Sequence, residues 1–327
     1  MFKHALGIAM KSIANLESTI RDLINHPRKR YSLSKDPAQW YKLCSSMDAI
    51  GDTELAINSY LKIIKNKAET ENEGHLYILL YGILQILFVQ QDAVENLTDA
   101  LDLQYEPSET LLKIRDIRND SIGHPTKRGG GKGKSFNFIT RMSMTKHGFK
   151  LMTVNADRET KFQQVDIYKL INEQREVLRI ILKEVITHLK KEAMKHNKQY
   201  KKEKLADVFH PMLTYYYEKI ASAIFSSEDF EKEYGKGMLN IVAEIIEEFK
   251  TALEKRQLIK SYELEDDFIW TEYSLQKIFK YFENSEKESL NEKDAYIYFS
   301  YLKKQIDKLH QIAKEIDEEY QVNKRKK

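Results

Sequence analysis

The chain has 327 residues, 42% hydrophobic and 31% charged, enough for one large core or two ordinary ones, and a domain per roughly 150 residues favours two. Only 12 Gly and 5 Pro are present, which disfavours a strand-rich or doubly wound fold, and the single cysteine, Cys44, excludes a disulfide framework and a cysteine-based zinc site within one chain. The net charge of +3 is unevenly spread: residues 1–204 hold 34 Lys and Arg against 25 Asp and Glu, while residues 205–320 hold 15 against 25.

Taken in chain order, Ala5, Ile8, Ile13, Leu16, Ile20, Leu23 and Ile24 fall near one face of a helix over 6–26, which Pro27 stops. Arg28-Lys29-Arg30 reads as a loop. Asp36-Pro37 starts a second helix that reaches about Lys67, loosened at Gly51. A third, about His75 to Leu101, is apolar all round at first and therefore central to a bundle. Its apolar run, Leu76 to Val89, is broken by Gly82 and Gln85 and falls short of the ~20 residues that span a bilayer, so no membrane partner is expected. The N-terminus lacks a secretory pattern, which with the lone cysteine fits a cytoplasmic setting. Pro107-Ser108 opens a short fourth helix with Leu111, Ile114 and Ile117 at spacing three.

The period then changes. Phe136, Phe138, Thr140 and Met142 alternate over 135–143, as do Phe149, Leu151 and Thr153 over 148–154, which predicts a β-hairpin at 135–154 inserted in a helical domain. A long stripe from Ile167 to Leu189 marks the next helix. Residues 190–204 carry seven lysines and two glutamates and read as a solvated helical extension or a linker. Further helices are expected at about 205–225, 227–258, 263–282 and 291–320. The expected fold is all-α: a helical domain at 1–200 with the hairpin insertion, and an acidic helical domain at 205–327. The final Lys324-Arg325-Lys326-Lys327 reads as a frayed tail.

Ile117-Arg118-Asn119-Asp120-Ser121-Ile122-Gly123-His124-Pro125 is the most informative stretch, because one turn after a helix presents a fixed cation, an amide, a hydroxyl and a titratable imidazole. Cutting RNA through its own 2′-hydroxyl needs a base and a cation that stabilises charge on the phosphoryl oxygens. Histidine exchanges protons near neutrality, and arginine offers phosphate a permanently charged fork of donors. His124 is the candidate acid/base, Arg118 the phosphate stabiliser and Asn119 the positioning group. Ser121, Lys127, Arg128, Lys132 and Lys134 are candidate RNA contacts. The structural alternative is that Arg118 caps a helix C-terminus, which favours cations, and that Gly123-His124-Pro125 is a turn.

Arg118-Asn119 followed by His124 resembles the signature of the HEPN family (higher eukaryotes and prokaryotes nucleotide-binding): Arg, four to six residues, then His, with a polar residue after the Arg at a helix end. Two other pairs share the spacing. Arg21 to His26 is a decoy, and Arg141 to His147 is discarded because Met142 follows the Arg on a predicted strand. Asp48 to Ile57 and Leu80 to Asp92 look like the two helices that precede such a signature, so the resemblance covers roughly 35–195. It implies a metal-independent endoribonuclease acting as a homodimer that pools Arg and His residues, with 2′,3′-cyclic phosphate and 5′-hydroxyl products. It also implies a role as toxin or phage-defence effector, with an antitoxin or regulatory protein as a further partner. The alternative is a noncatalytic HEPN module that binds RNA, nucleotide or a protein partner.

Other patterns carry less. Gly-Lys-Ser at 133–135 lacks the Gly at 128 and the strand–loop–helix order of an NTP-binding loop. Tyr215-Tyr216-Tyr217 and Trp270 are expected in the core. His188 and His196 lack partners for a metal site, Glu263 to Asp267 reads as a solvated helix start, and no metal or cofactor is expected.

Overall fold

The computed structural model describes residues 12–66, 72–129, 134–156, 159–283 and 290–322. Ala5, Ile8, Lys132 and the basic tail lie outside them. The chain divides into two compact units, Met1–His26 with Leu33–Lys190 and Pro27–Ser32 with Lys191–Lys327. The fold is mainly α with a small antiparallel sheet.

In the first unit, α1 (Ile13–Ile24) is capped by the Ser12 hydroxyl, which accepts from Asn15 N, and buries Ile13, Leu16, Ile20 and Ile24. Arg28-Lys29-Arg30, which belongs to the second unit, lies not in a loop but in a short helix, α2 (Pro27–Leu33), because proline is well tolerated in a first helical turn. α3 (Pro37–Lys65) is capped by Asp36 and continues unbroken through Gly51. It packs along α4 (Glu73–Ala100), the central helix, whose Leu80, Ile83, Leu84, Leu87, Val94 and Leu97 are buried. By length and composition α4 could cross a membrane, yet 44% of that apolar window is already buried in the fold. α5 (Glu109–Arg118) is capped by Ser108 and buries Leu111, Ile114 and Ile117.

The expected hairpin is a three-stranded sheet of order β1-β2-β3: β1 (Ser135–Ile139), β2 (Gly148–Asn155) and β3 (Thr160–Asp166). β1 is shorter than its alternation suggests, since Arg141–Ser143 winds into a tight helical turn that leaves Met142 96% exposed. β3 was hidden because Thr-Lys-Phe-Gln-Gln-Val-Asp offers no apolar alternation; it is held by its ladder to β2, which pairs Met152 with Phe162. Phe149, Leu151 and Val165 face the core, where they meet α4 and α5 residues and the start of α6 (Ile167–Tyr200). Farther along α6, Leu178, Leu182, Val185 and Leu189 pack with residues of α1, α3 and α4.

The lysine-rich stretch after 190 continues α6 as helix to Tyr200, which is buried in the second unit's core. That unit adds α7 (Leu213–Phe225), α8 (Asp229–Lys255), α9 (Glu265–Phe282) and α10 (Glu292–Val322). The buried Asp317 carboxylate accepts from Leu205 N and Ala206 N, both at 2.9 Å, and so ties the entry turn to α10. α7 and α8 approach closely at Gly235, where a Cβ would lie 2.2 Å from that of Ala223. Of the aromatic residues expected inside, Tyr217 is buried. Tyr215 is 37% exposed, and Trp270 is 53% exposed, packed edge-on against Tyr273 on the outer side of α9.

His196 on α6 packs tilted against Tyr200 and edge-on against Tyr320, with ring centroids 5.0 and 5.7 Å away, and its Nε2 lies 3.4 Å from the Arg256 carbonyl. Burial and then the Arg28 and Arg256 cations lower its pKa below the ordinary 6.5, against the hydrogen bonds to Arg256 and Asn197. The unfolded chain therefore takes up this proton first as pH falls. The resulting stabilisation is full above the unfolded value and is lost as pH drops through it toward the depressed folded value. Thermal melting of the second unit's helices is expected to fall on acidification from about pH 8 to 5, and more steeply in the wild type than in His196→Gln. Equal slopes would contradict the assignment.

Candidate active site

The site is assembled on α5. Leu111, Ile114 and Ile117 turn inward, which places Arg115 and Arg118, one helical turn apart, against the neighbouring face of α4. Arg118 donates from Nε and Nη2 to Gln85 Oε1, at 3.1 and 2.7 Å, and from Nη1 to Asn119 Oδ1 at 3.0 Å. Its Cζ sits 4.5 Å from the centroid of the Phe88 ring, which Arg115 approaches at 5.2 Å. Arg115 donates to Gln91 Oε1 and pairs with Asp92 and Glu95 at 2.7 and 2.9 Å. Burial pushes the Asp92 carboxyl up, against the opposing pull of Arg115. Three of the five guanidinium donors of Arg118 are thus engaged among the described residues.

The helix ends in a wide turn over Asn119–Gly123, closed by His124 N donating to the Asn119 carbonyl at 2.7 Å. Such widened turns recur at functional sites because they shift side chains out of helical phase. Gly123 lies so near the guanidinium that a Cβ there would be 2.7 Å from Arg118 Nη1 and 3.1 Å from Asn119 Oδ1. The absence of a side chain at 123 is what brings the backbone before His124 against Arg118. The His124 side chain is exposed. Gly123→Ala is expected to push the guanidinium aside and lower any RNA-cleavage rate about tenfold, with melting temperature little changed, because misplacement by an ångström is costly in catalysis. A rate equal to wild type would show that the close fit is irrelevant.

The remaining candidates separate. Asn119 orients Arg118 through its Oδ1. Ser121 is 2% exposed, and its hydroxyl has no hydrogen-bond partner among the described residues, so it is not a surface RNA contact in this conformation. Arg128 is not an available cation either. It bridges Asp120 and Asp116, both at 2.6 Å, and these carboxylates raise its pKa further. Its role is to pin the turn, together with Asn137, which donates to Asp120 Oδ1 at 3.3 Å. Lys127 is exposed, Lys134 is half-buried, and Lys132 falls outside the described residues.

The decoy Arg21 pairs with Glu17 and Asp48. Gln85 and Phe88 escape a reading by motif, although Gln85 shows as the polar break in the apolar run of α4. Along the same α4 face beyond Gln85 stand Tyr81 and Ile78, 41% and 72% exposed. Among the described residues no three His, Cys, Asp or Glu side chains gather as metal ligands. No family model, curated protein or solved structure matches this chain.

Proposed function

We propose that the first unit is a metal-independent endoribonuclease that works as a homodimer. The observation that carries this reading is the fit of the Arg118 guanidinium against Gly123, which sets a fixed phosphate-binding cation next to the turn that presents an exposed imidazole. In the reaction, His124 removes the proton of a ribose 2′-hydroxyl and the oxygen attacks the adjacent phosphorus. The bond from phosphorus to the 5′-oxygen breaks, and that oxygen takes a proton from a second imidazolium. Arg118 stabilises the charge on the phosphoryl oxygens. A second copy of the chain supplies the second imidazole, and the exposed Tyr81 and Ile78, one and two turns from Gln85 along α4, favour such a pairing. A role as toxin or phage-defence effector, held in check by an antitoxin or regulatory protein, is proposed on the HEPN resemblance alone.

The test is to incubate the full chain with RNA in excess EDTA and to analyse the ends. Cleavage leaving 2′,3′-cyclic phosphate and 5′-hydroxyl ends is expected. Absence of cleavage, or products carrying 5′-phosphate, would overturn the reading and favour a noncatalytic RNA-binding module.

A further inference from the structure

The sheet has an outward face that the catalytic reading does not use. The ladders place Phe136 opposite Val154 and Phe138 opposite Met152, and Met152 in turn opposite Phe162. Side chains alternate along a strand, so these five share one side, opposite the core-facing Phe149, Leu151 and Val165. Phe136, Phe138 and Phe162 are 37%, 51% and 64% exposed. Three phenylalanine rings presented to solvent on one small sheet need an occupant.

Ring chemistry and continuity with the candidate site say which. Lys150 and Asp166 are both exposed on the same side, so the one cation and the one carboxylate of this face offset each other, and Asp166 Oδ1 accepts from Lys169 N at the start of α6. A near-neutral face of three phenylalanine rings suits flat, apolar ring faces such as those of nucleic-acid bases. The candidate site also runs along the free edge of β1: Asn137 N donates to the Pro125 carbonyl at 2.8 Å, and Arg128 and Ser135 exchange backbone hydrogen bonds at 3.0 and 2.9 Å. His124 therefore lies one residue from a position hydrogen-bonded to the sheet edge, between Phe136 and Phe138. Along β1 the two rings are about 7 Å apart, and Phe162 stands about 10 Å across the sheet from β1.

We propose that this outward face is a stacking platform for unpaired bases, so that the substrate class is single-stranded RNA whose nucleotides beside the scissile phosphate rest on Phe136, Phe138 and Phe162. Base faces are available to aromatic side chains only when the strand is unpaired, and every base offers one, so recognition here depends on strandedness more than on sequence. The inference rests on the nuclease reading for its substrate, but the platform itself is tested by binding.

The full chain carrying His124→Ala is titrated into a fluorescein-labelled unstructured RNA oligonucleotide and into the same RNA as a duplex, at one salt concentration. Tighter binding of the single strand is expected. Phe138→Ala and Phe162→Ala should each weaken it by roughly tenfold, Phe138→Trp should retain it, and melting temperatures should hold because the rings are half exposed. Unchanged affinity in the Phe138→Ala/Phe162→Ala pair, or equal binding of duplex and single strand, overturns the platform. So does a loss of self-association with RNA affinity intact, which would make this face an interface between copies. If the platform variants lose RNA while the wild type cleaves nothing, the platform stands and the nuclease reading falls. If the same phenylalanine substitutions made in the chain with His124 intact leave cleavage and KM unchanged, the reverse holds.

Discussion

His124→Ala is expected to lower the rate constant of RNA cleavage by about 10² to 10⁴ while leaving affinity for the same RNA near that of the wild type, because a general acid or base acts in the transition state and contributes little to ground-state binding. Arg118→Ala should cost about 10² to 10³ in rate, the usual loss when one preorganised donor to a developing oxyanion is removed. Arg118→Lys should not restore it. The guanidinium is held by a two-pronged grip on Gln85 Oε1 and a third contact to Asn119 Oδ1, and an ammonium on a flexible stem cannot reproduce that planar arrangement. Gln85→Leu is the sharper probe. It leaves both reacting side chains in place yet removes the acceptor for two of Arg118's donors, so rate should fall with fold and RNA affinity preserved. Cleavage that survives His124→Ala and Arg118→Ala undiminished would remove this turn from consideration.

Much of the architecture was legible because helical period and caps are local signals. Asp36 and Ser108 cap where the sequence places polar residues before apolar stripes, and Pro37 sits in a first turn. What was not legible depends on partners distant in sequence. Trp270 was expected in the core from its helical spacing, but α9 buries Phe268, Thr271, Ser274, Leu275 and Ile278 and turns Trp270 outward. Phe136 and Phe138 alternate as a buried strand would, yet pairing with β2 puts them on the side of the sheet away from the core. Strand period shows which residues share a face, and only the partner strand decides which face is covered. In the candidate site, the residue types of Arg118, Asn119 and His124 could be read directly. The grip of Gln85 and Phe88 could not, because those residues come from another helix. Ser121 misled because the widened turn breaks helical phase, and Arg128 misled because its neutralising carboxylates lie 8 and 12 residues upstream, with no visible mark in the basic loop.

Arg175→Leu is expected to lower the unfolding free energy of the first unit by about 3–5 kcal/mol, measured by denaturant titration, since it strands Glu54 without a counter-ion. The two side chains are 13% and 6% exposed, and Arg175 Nη2 donates to Glu54 Oε1 at 2.7 Å. From this pair a fully buried chain of amides crosses the core. Gln90 reaches Glu54 at 3.4 Å; Gln174 donates to Gln90 Oε1 at 2.9 Å and to the Leu87 carbonyl at 3.1 Å; Gln91 donates to Gln174 Oε1 at 2.7 Å; and Arg115 donates to Gln91 Oε1 at 2.9 Å. Every link satisfies its neighbour, so removing one member leaves others buried and unpaired, at about 1–3 kcal/mol for a neutral group and more for a charged one. The control is the double replacement Glu54→Leu/Arg175→Leu, which removes both charges together and should recover most of the loss, because a buried ion pair gains little over well-packed apolar side chains. If the double variant is as unstable as Arg175→Leu, the defect is one of packing and not of stranded charge. The chain ends at Arg115, which shares the Phe88 ring with Arg118. Gln174→Leu should therefore act at both levels, destabilising the core and, under conditions where the protein remains folded, lowering cleavage through the loosened ring on which Arg118 rests.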